Sequence, residues 1–202
     1  MKLTWNGHAC FTLDTGKDLV VFAPYSPGSV PGCCLPQLHA NAVFCSHGHG
    51  DHNCKDAVIL TENTPSYSLR RIPTFHDHTQ GRERGDNLIT VIEAEGLSIA
   101  HFGDIGHLLS GEQLDALGAV DIMMLPVGGY YTVGAEEAKK IADAVGASVV
   151  IPMHYRGKGF GYDVLDSVDS FLALYPKEEI CTLPSPEWEF TNELSKAVVV
   201  FG

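Results

Sequence analysis

Residues 43–53 read Val43-Phe44-Cys45-Ser46-His47-Gly48-His49-Gly50-Asp51-His52-Asn53. Four potential metal ligands, His47, His49, Asp51 and His52, fall within six residues and are spaced by glycines. The apolar segment before them, Ala42 to Cys45, reads as a short buried strand. The segment after them, Asn53 to Ala57, looks like the first turn of a helix, with Asp51 placed near its N-terminus. The ligands therefore belong to a strand-to-helix loop. Glycine permits a tight backbone there, and neutral imidazoles with a carboxylate suit a borderline divalent metal. A merely solvated histidine-rich loop would lack this context. His47 and His49 point the same way along an extended segment, whereas Asp51 and His52 point elsewhere as the chain turns, so one loop can feed two metals.

A dinuclear site needs more ligands than these. His76, Asp104 and His154 each sit at the C-terminal end of an apolar strand, where ligand sites favour a pocket mouth. His78, two residues beyond His76 in an extended segment, points the same way and competes with it; spacing alone does not separate the two. His101 reads as a core histidine on the opposite side of its strand. His107 supports the ligands or faces substrate, His8 is structural or pocket-lining on a turn, and His39 is a surface residue. Arg82 and Arg84 are candidates to clamp a phosphate or carboxylate in two-pronged fashion. The plain alternative leaves both solvated or paired with Glu83 or Asp86. Tyr130, Tyr131 and Tyr155 are pocket-wall candidates with core packing as their ordinary role.

The signature loop resembles that of the metallo-β-lactamase fold hydrolases. In that family a histidine, an acid and a histidine follow the loop in this order, matching His76, Asp104 and His154. The resemblance implies one metal on His47, His49 and His76, a second on Asp51, His52 and His154, and Asp104 bridging both. Four further stretches narrow it: His76-Asp77 with Gly81-Arg82-Glu83-Arg84-Gly85, His101 to His107, Leu125 to Gly129, and Ile151 to Tyr155. They look like the small branch related to L-ascorbate-6-phosphate lactonase and N-acyl-phosphatidylethanolamine phospholipase D, and the match spans essentially the whole chain. One departure stands out. Many members carry an Asp-Pro pair at the end of an early strand, where the acid supports the ligand loop; here Val21-Phe22-Ala23-Pro24 puts Ala23 at that place.

With 202 residues the chain reads as one domain, residues 1–202, long enough to bury a two-layer core. Its formal net charge of −12 argues against nucleic acid held by phosphate neutralisation. It does not bar an anionic small molecule, because bound metal reverses the local field. No secretory signal and no apolar run of membrane-spanning length is expected. The six cysteines show no C-x-x-C pair, which fits reduced thiols and a cytoplasmic location.

Strands dominate residues 2 to 22, and the second half alternates strands with helices at Ser110–Leu117, Ala135–Val145 and from Asp163 onwards, the last with a core stripe of Val164, Leu165, Val168, Phe171 and Leu172. The Pro-rich loop from Pro24 to Pro36 is a wall, a lid or a solvated connection. The pattern gives an α/β or α+β domain; the four-layered αββα sandwich is implied by the resemblance. The expected activity is metal-dependent hydrolysis of a phosphodiester, lactone or ester. Asp51 and Asp104 serve the chemistry, and Arg82, Arg84, His107 and Tyr130 are candidates to touch substrate. Two divalent ions are implied, zinc first, with manganese or iron also suited. The partner is a small molecule, phosphorylated in the narrower resemblance, and a homo-oligomer is left open. A non-catalytic metal-binding or regulatory protein and a mononuclear iron dioxygenase of the same fold are the alternatives.

Overall fold

The computed structural model describes all 202 residues. In chain order the strands are β1 (Lys2–Trp5), β2 (Phe11–Asp14), β3 (Leu19–Phe22), β4 (Leu38–Ala40), β5 (Ala42–Phe44), β6 (Val58–Leu60), β7 (Ser68–Phe75), β8 (Asp86–Ala94), β9 (Leu97–His101), β10 (Ile122–Pro126), β11 (Val149–Met153), β12 (Ile180–Leu183), β13 (Glu187–Glu189) and β14 (Ala197–Phe201). The α-helices are α1 (Gly111–Leu117), α2 (Ala135–Val145) and α3 (Asp169–Leu172). One sheet has the order β13-β1-β2-β3-β5, and a larger one the order β12-β14-β11-β10-β9-β8-β7.

Two packed sheets follow from the burial pattern. Strands β10 and β11 are buried at every position, as expected of parallel strands covered on both faces. Between the sheets, Phe11, Leu13 and Phe22 meet Ile92, Met124 and Ile151. On the outer face of the larger sheet, Phe171, Ile141 and Leu117 bring all three helices onto Val91, Met123 and Val150. The outer face of the smaller sheet is covered without an α-helix: the β4–β6 pair and Tyr25 and Val30 of the proline-rich loop close over Cys10 and Val21. The mixed α/β two-sheet architecture is the one the resemblance implies, with one outer layer built from loop and strand.

Helices α1 and α2 run as expected. Ser110 accepts from the Gln113 backbone N–H while the Gln113 side chain caps Ser110 in return, and Gly146 ends α2 in the left-handed region. Two expectations need correction. No α-helix follows the signature loop; only a 3₁₀ turn, Lys55–Ala57, forms there, and its cap Cys54 makes no side-chain bond, so Asp51 caps nothing. The third helix starts at Asp169 and not at Asp163. The preceding backbone is used elsewhere: Asp166 N–H donates to Gly128 C=O, and Arg156 N–H to Asp166 C=O. Val164 accordingly turns to solvent, while Leu165 and Phe171 stay buried.

The topology gathers one rim. In the larger sheet β7, β9, β10 and β11 all run in the same sense, β7 and β9 each being antiparallel to β8. In the smaller sheet β1, β3 and β5 share a sense for the same reason. The residues just past the ends of β5, β7, β9 and β11 carry His47, His76, Asp104 and His154. The residue shortly past the end of β1 is His8.

Candidate metal centre

Six imidazoles and two carboxylates converge at that rim. His47, His49 and His76 form one group; His8, Asp51, His52 and His154 form another, within each of which the potential ligand atoms lie within 4.8 Å of one another. Asp104 stands between them. Its Oδ2 is 3.3 Å from His76 Nε2 and 3.2 Å from His154 Nε2, and its Oδ1 is 3.0 Å from His52 Nε2. His47 Nε2 is 3.8 Å from Asp104 Oδ2. Asp51 Oδ2 faces His8, His52 and His154 at 3.5, 3.9 and 4.0 Å.

The donor set fits divalent metal. Both ring nitrogens of His8, His52 and His154, His47 Nε2, His76 Nδ1 and Asp104 Oδ1 are buried without a hydrogen-bond partner. Each such group left idle costs on the order of 1–3 kcal/mol, so a cluster of them is intelligible as a set of ligands. Burial pushes the His47 imidazole down to about 3, against the pull of Asp104, and burial with the neighbouring His154 pushes His8 down to about 3. Both are therefore neutral and able to ligate. Burial opposes ionisation of Asp104, but the neighbouring His154 and His52 outweigh it and hold the carboxyl well below the usual carboxylate range. His154 is raised in return, its burial outweighed by Asp104.

The supports are local and specific. Asn87, fully buried, donates to Thr74 Oγ1 and Phe102 C=O and accepts from Asp104 N–H at 2.9 Å, which ties β7, β9 and the Asp104 turn together. Gly103 and Gly106 flank Asp104 because nothing larger fits: a Cβ on Gly103 would meet Asn87 Oδ1 at 2.3 Å, and one on Gly106 would meet Asp77 N at 2.4 Å. Asp77 organises the loop after His76, accepting from the backbone N–H groups of Thr79, Gly81, Glu83 and Arg84 and from Thr79 Oγ1. Burial would raise its carboxyl; those bonds, led by Arg84 N–H, hold it well below the usual range.

Ala23 has a left-handed backbone, φ 46°, and is fully buried, so no side chain at this place supports the ligand loop. Ser46 Oγ meets His47 Nδ1 at 2.9 Å instead. The proline-rich loop is tied to the signature loop, with Ser26 N–H donating to Gly50 C=O and Cys54 N–H to Pro24 C=O, and Tyr162 Oη donates to its Ser29 C=O.

A cleft of about 270 Å³ opens onto the centre, lined by His49, Asp51, His76, Arg84, Asp104, Tyr131 and Tyr162. Arg84 lies over the Tyr131 ring at 5.8 Å. Several expectations are corrected here. His78 does not compete with His76: its side chain is 63% exposed and faces Glu137, because the chain turns at residue 77. Arg82 points to solvent, since the Asp77-capped turn directs Arg84 inward. Tyr130 is 65% exposed and Tyr131 takes the cleft position. His107 does not line the cleft: its Nε2 accepts from Phe75 N–H and its Nδ1 lies 2.8 Å from Leu108 C=O, so it braces the end of β7 beside His76. His101 is a satisfied core histidine, bonded to Ala9 C=O and stacked on Phe22. Tyr155 packs in the core against Trp5. Tyr162 and Asn87 escaped the sequence reading, and no spacing or composition marks either one.

A family model described as the β-lactamase superfamily domain matches residues 2–154. A UPF0173 metal-dependent hydrolase of Thermoplasma acidophilum is 30% identical, the match covering 77% of this chain and 83% of the relative. One of Archaeoglobus fulgidus is 29% identical with the same coverage. A crystal structure from Thermotoga maritima, described as a Zn-dependent hydrolase of the metallo-β-lactamase superfamily, superposes with a TM-score of 0.77 at 32% identity, over 99% of this chain and 97% of the other. An isothiocyanate hydrolase from Delia radicum gut bacteria shares the fold at 15% identity, with a TM-score of 0.64 over 95% of this chain and 99% of that one. By the geometry of its rim and by these matches, the chain belongs to the β-lactamase superfamily, among its metal-dependent hydrolases.

Proposed function

We propose that this chain hydrolyses a small anionic ester-type substrate, a phosphodiester or a phosphorylated lactone, at a centre of two divalent ions. The observation that carries the reading is the position of Asp104, whose two oxygens reach His52, His76 and His154 across both ligand groups. His47, His49 and His76 would hold one ion; Asp51, His52 and His154 the other; Asp104 would serve both. Such a pair supplies a hydroxide nucleophile at neutral pH and stabilises negative charge on the scissile group. Zinc suits the imidazole-rich set, with manganese or iron as substitutes.

The chain's own residues do the rest. Asp51 Oδ2 reaches the cleft, 3.3 Å from the Tyr162 Oη that donates to Ser29 C=O, so the carboxylate is placed to orient the attacking water. Burial and then the Asp51 charge push the Tyr162 phenol up, which keeps it a hydrogen-bond donor. Arg84, stacked on Tyr131 at the mouth, pairs with an anionic group of the substrate. At about 270 Å³ the cleft lies just below the ~300–1,000 Å³ range of drug-sized sites, which favours a small substrate.

The test is a panel of aryl phosphodiesters, lactones and aryl esters given to protein reconstituted with zinc, manganese or iron. Turnover that Asp104→Asn abolishes supports the reading. Two bound metals with no turnover on any member would move the chain to the non-catalytic binder.

A further inference from the structure

The two groups of ligands are unequal in a way that the signature loop does not explain. His8 lies one turn beyond β1 and is 1% exposed, so its imidazole has no route to solvent. Neither ring nitrogen has a hydrogen-bond partner. Its Nε2 is 3.5 Å from Asp51 Oδ2, and its ring centroid is 4.1 Å from that of His154 and 5.5 Å from that of His52. Core histidines in this chain look different: His101 bonds Ala9 C=O through Nε2 and accepts from Gly103 N–H through Nδ1.

The backbone holds His8 at this place. Trp5 Nε1 donates to His8 C=O, and His154 N–H approaches the same oxygen at 3.5 Å. His8 and His154 both adopt left-handed backbone, φ 55° and 56°, a conformation costing a non-glycine residue about 1–3 kcal/mol and persisting where surroundings impose it. That strain turns both rings towards Asp51 and His52.

We infer that His8 is a further protein ligand, joining Asp51, His52, His154 and the shared Asp104 around one of the two ions. The inference rests on the two-ion reading above and adds a residue to it. Ligand bonds of about 2.0–2.1 Å set tetrahedral donors about 3.3–3.4 Å apart. His8 Nε2 already stands 3.5 Å from Asp51 Oδ2, so small ring movements complete the set. With Asp104 shared, this ion has one more protein ligand than the other, and a fuller set of protein ligands is the pattern of a closed, holding site. The half formed by His47, His49 and His76, with His49 and His76 on the cleft wall, is then where the reacting water is held.

Cobalt titration of the wild type and of His8→Gly, which keeps the left-handed backbone without strain, tests this. The expected result is two equivalents in the wild type and, in His8→Gly, one equivalent weakened by more than 100-fold with the other unchanged. Loss of a residue that only supports a ligand costs about 10–100-fold, so a weakening of 100-fold or less overturns the inference. A second measurement needs no variant: proton resonance of the cobalt-loaded wild type counts exchangeable imidazole N–H signals shifted by the ion. Six support a ligating His8; five overturn it. Two equivalents in the wild type with an unaffected His8→Gly sink the His8 ligand and leave the two-ion reading standing. A single equivalent in the wild type, retained in His8→Gly, sinks both.

Discussion

The two halves of the centre differ in exposure and in origin. His47, His49 and His76 come from the signature loop and the end of β7; His49 is exposed and two of the three line the cleft. His8, Asp51, His52 and His154 are drawn from three separate segments, and all but Asp51 are buried. An open half suits water and substrate, and a closed half suits a firmly held ion. On the two-ion proposal, the difference teaches that a symmetric list of ligands can conceal an asymmetric device, with Asp104 coupling its parts.

The harshest way to break the comparison is to remove that coupling. Asp104→Asn should weaken both ions by more than about 100-fold, beyond what loss of a supporting residue costs, and abolish turnover, as read by equilibrium dialysis and assay. If one half kept its affinity, Asp104 would belong to the other alone.

A smaller effect sharpens the open half. Asp77→Asn replaces an acceptor by an amide N–H facing the backbone donors of Glu83 and Arg84, and should cost on the order of 1–3 kcal/mol in denaturant unfolding at pH 7. Because the folded Asp77 carboxyl is depressed, its stabilisation is present above the unfolded value of about 3.9 and fades as pH falls through the folded value. The gap between wild type and variant should therefore be full at neutral pH and shrink below about pH 4; a constant gap contradicts the assignment.

Smaller again, Arg84→Ala should raise KM for an anionic substrate roughly tenfold, about 1.4 kcal/mol, with kcat changed less. Arg82→Ala should change neither. Least of all, His78→Ala should leave metal content intact and shift stability by no more than about 0.5 kcal/mol, as for an ordinary surface site.

Much of this was legible in the chain. Glycine-spaced ligands after an apolar run marked the loop, and ligand-type residues at strand ends marked His76, Asp104 and His154. Most of the strands and the first two helices followed from period and caps, although β4 went unread. What escaped was non-local. Asp163 looked like a cap, but the backbone bond that holds the segment before α3 joins Asp166 to Gly128, 38 residues away. Arg82 and Arg84 are alike by spacing, and only the turn wound around Asp77 separates them. His8 could have been caught by topology: β1 runs in the sense of β3 and β5, so its C-terminal end faces the same rim. Nothing local in Gly161-Tyr162 announces a phenol over Asp51.

The most direct test is elemental analysis of metal per chain on the wild type and on His76→Ala. The account requires two ions in the wild type and one in the variant, since only the open half loses a ligand outright. A wild type holding one ion or none, or a variant that keeps both, would contradict it.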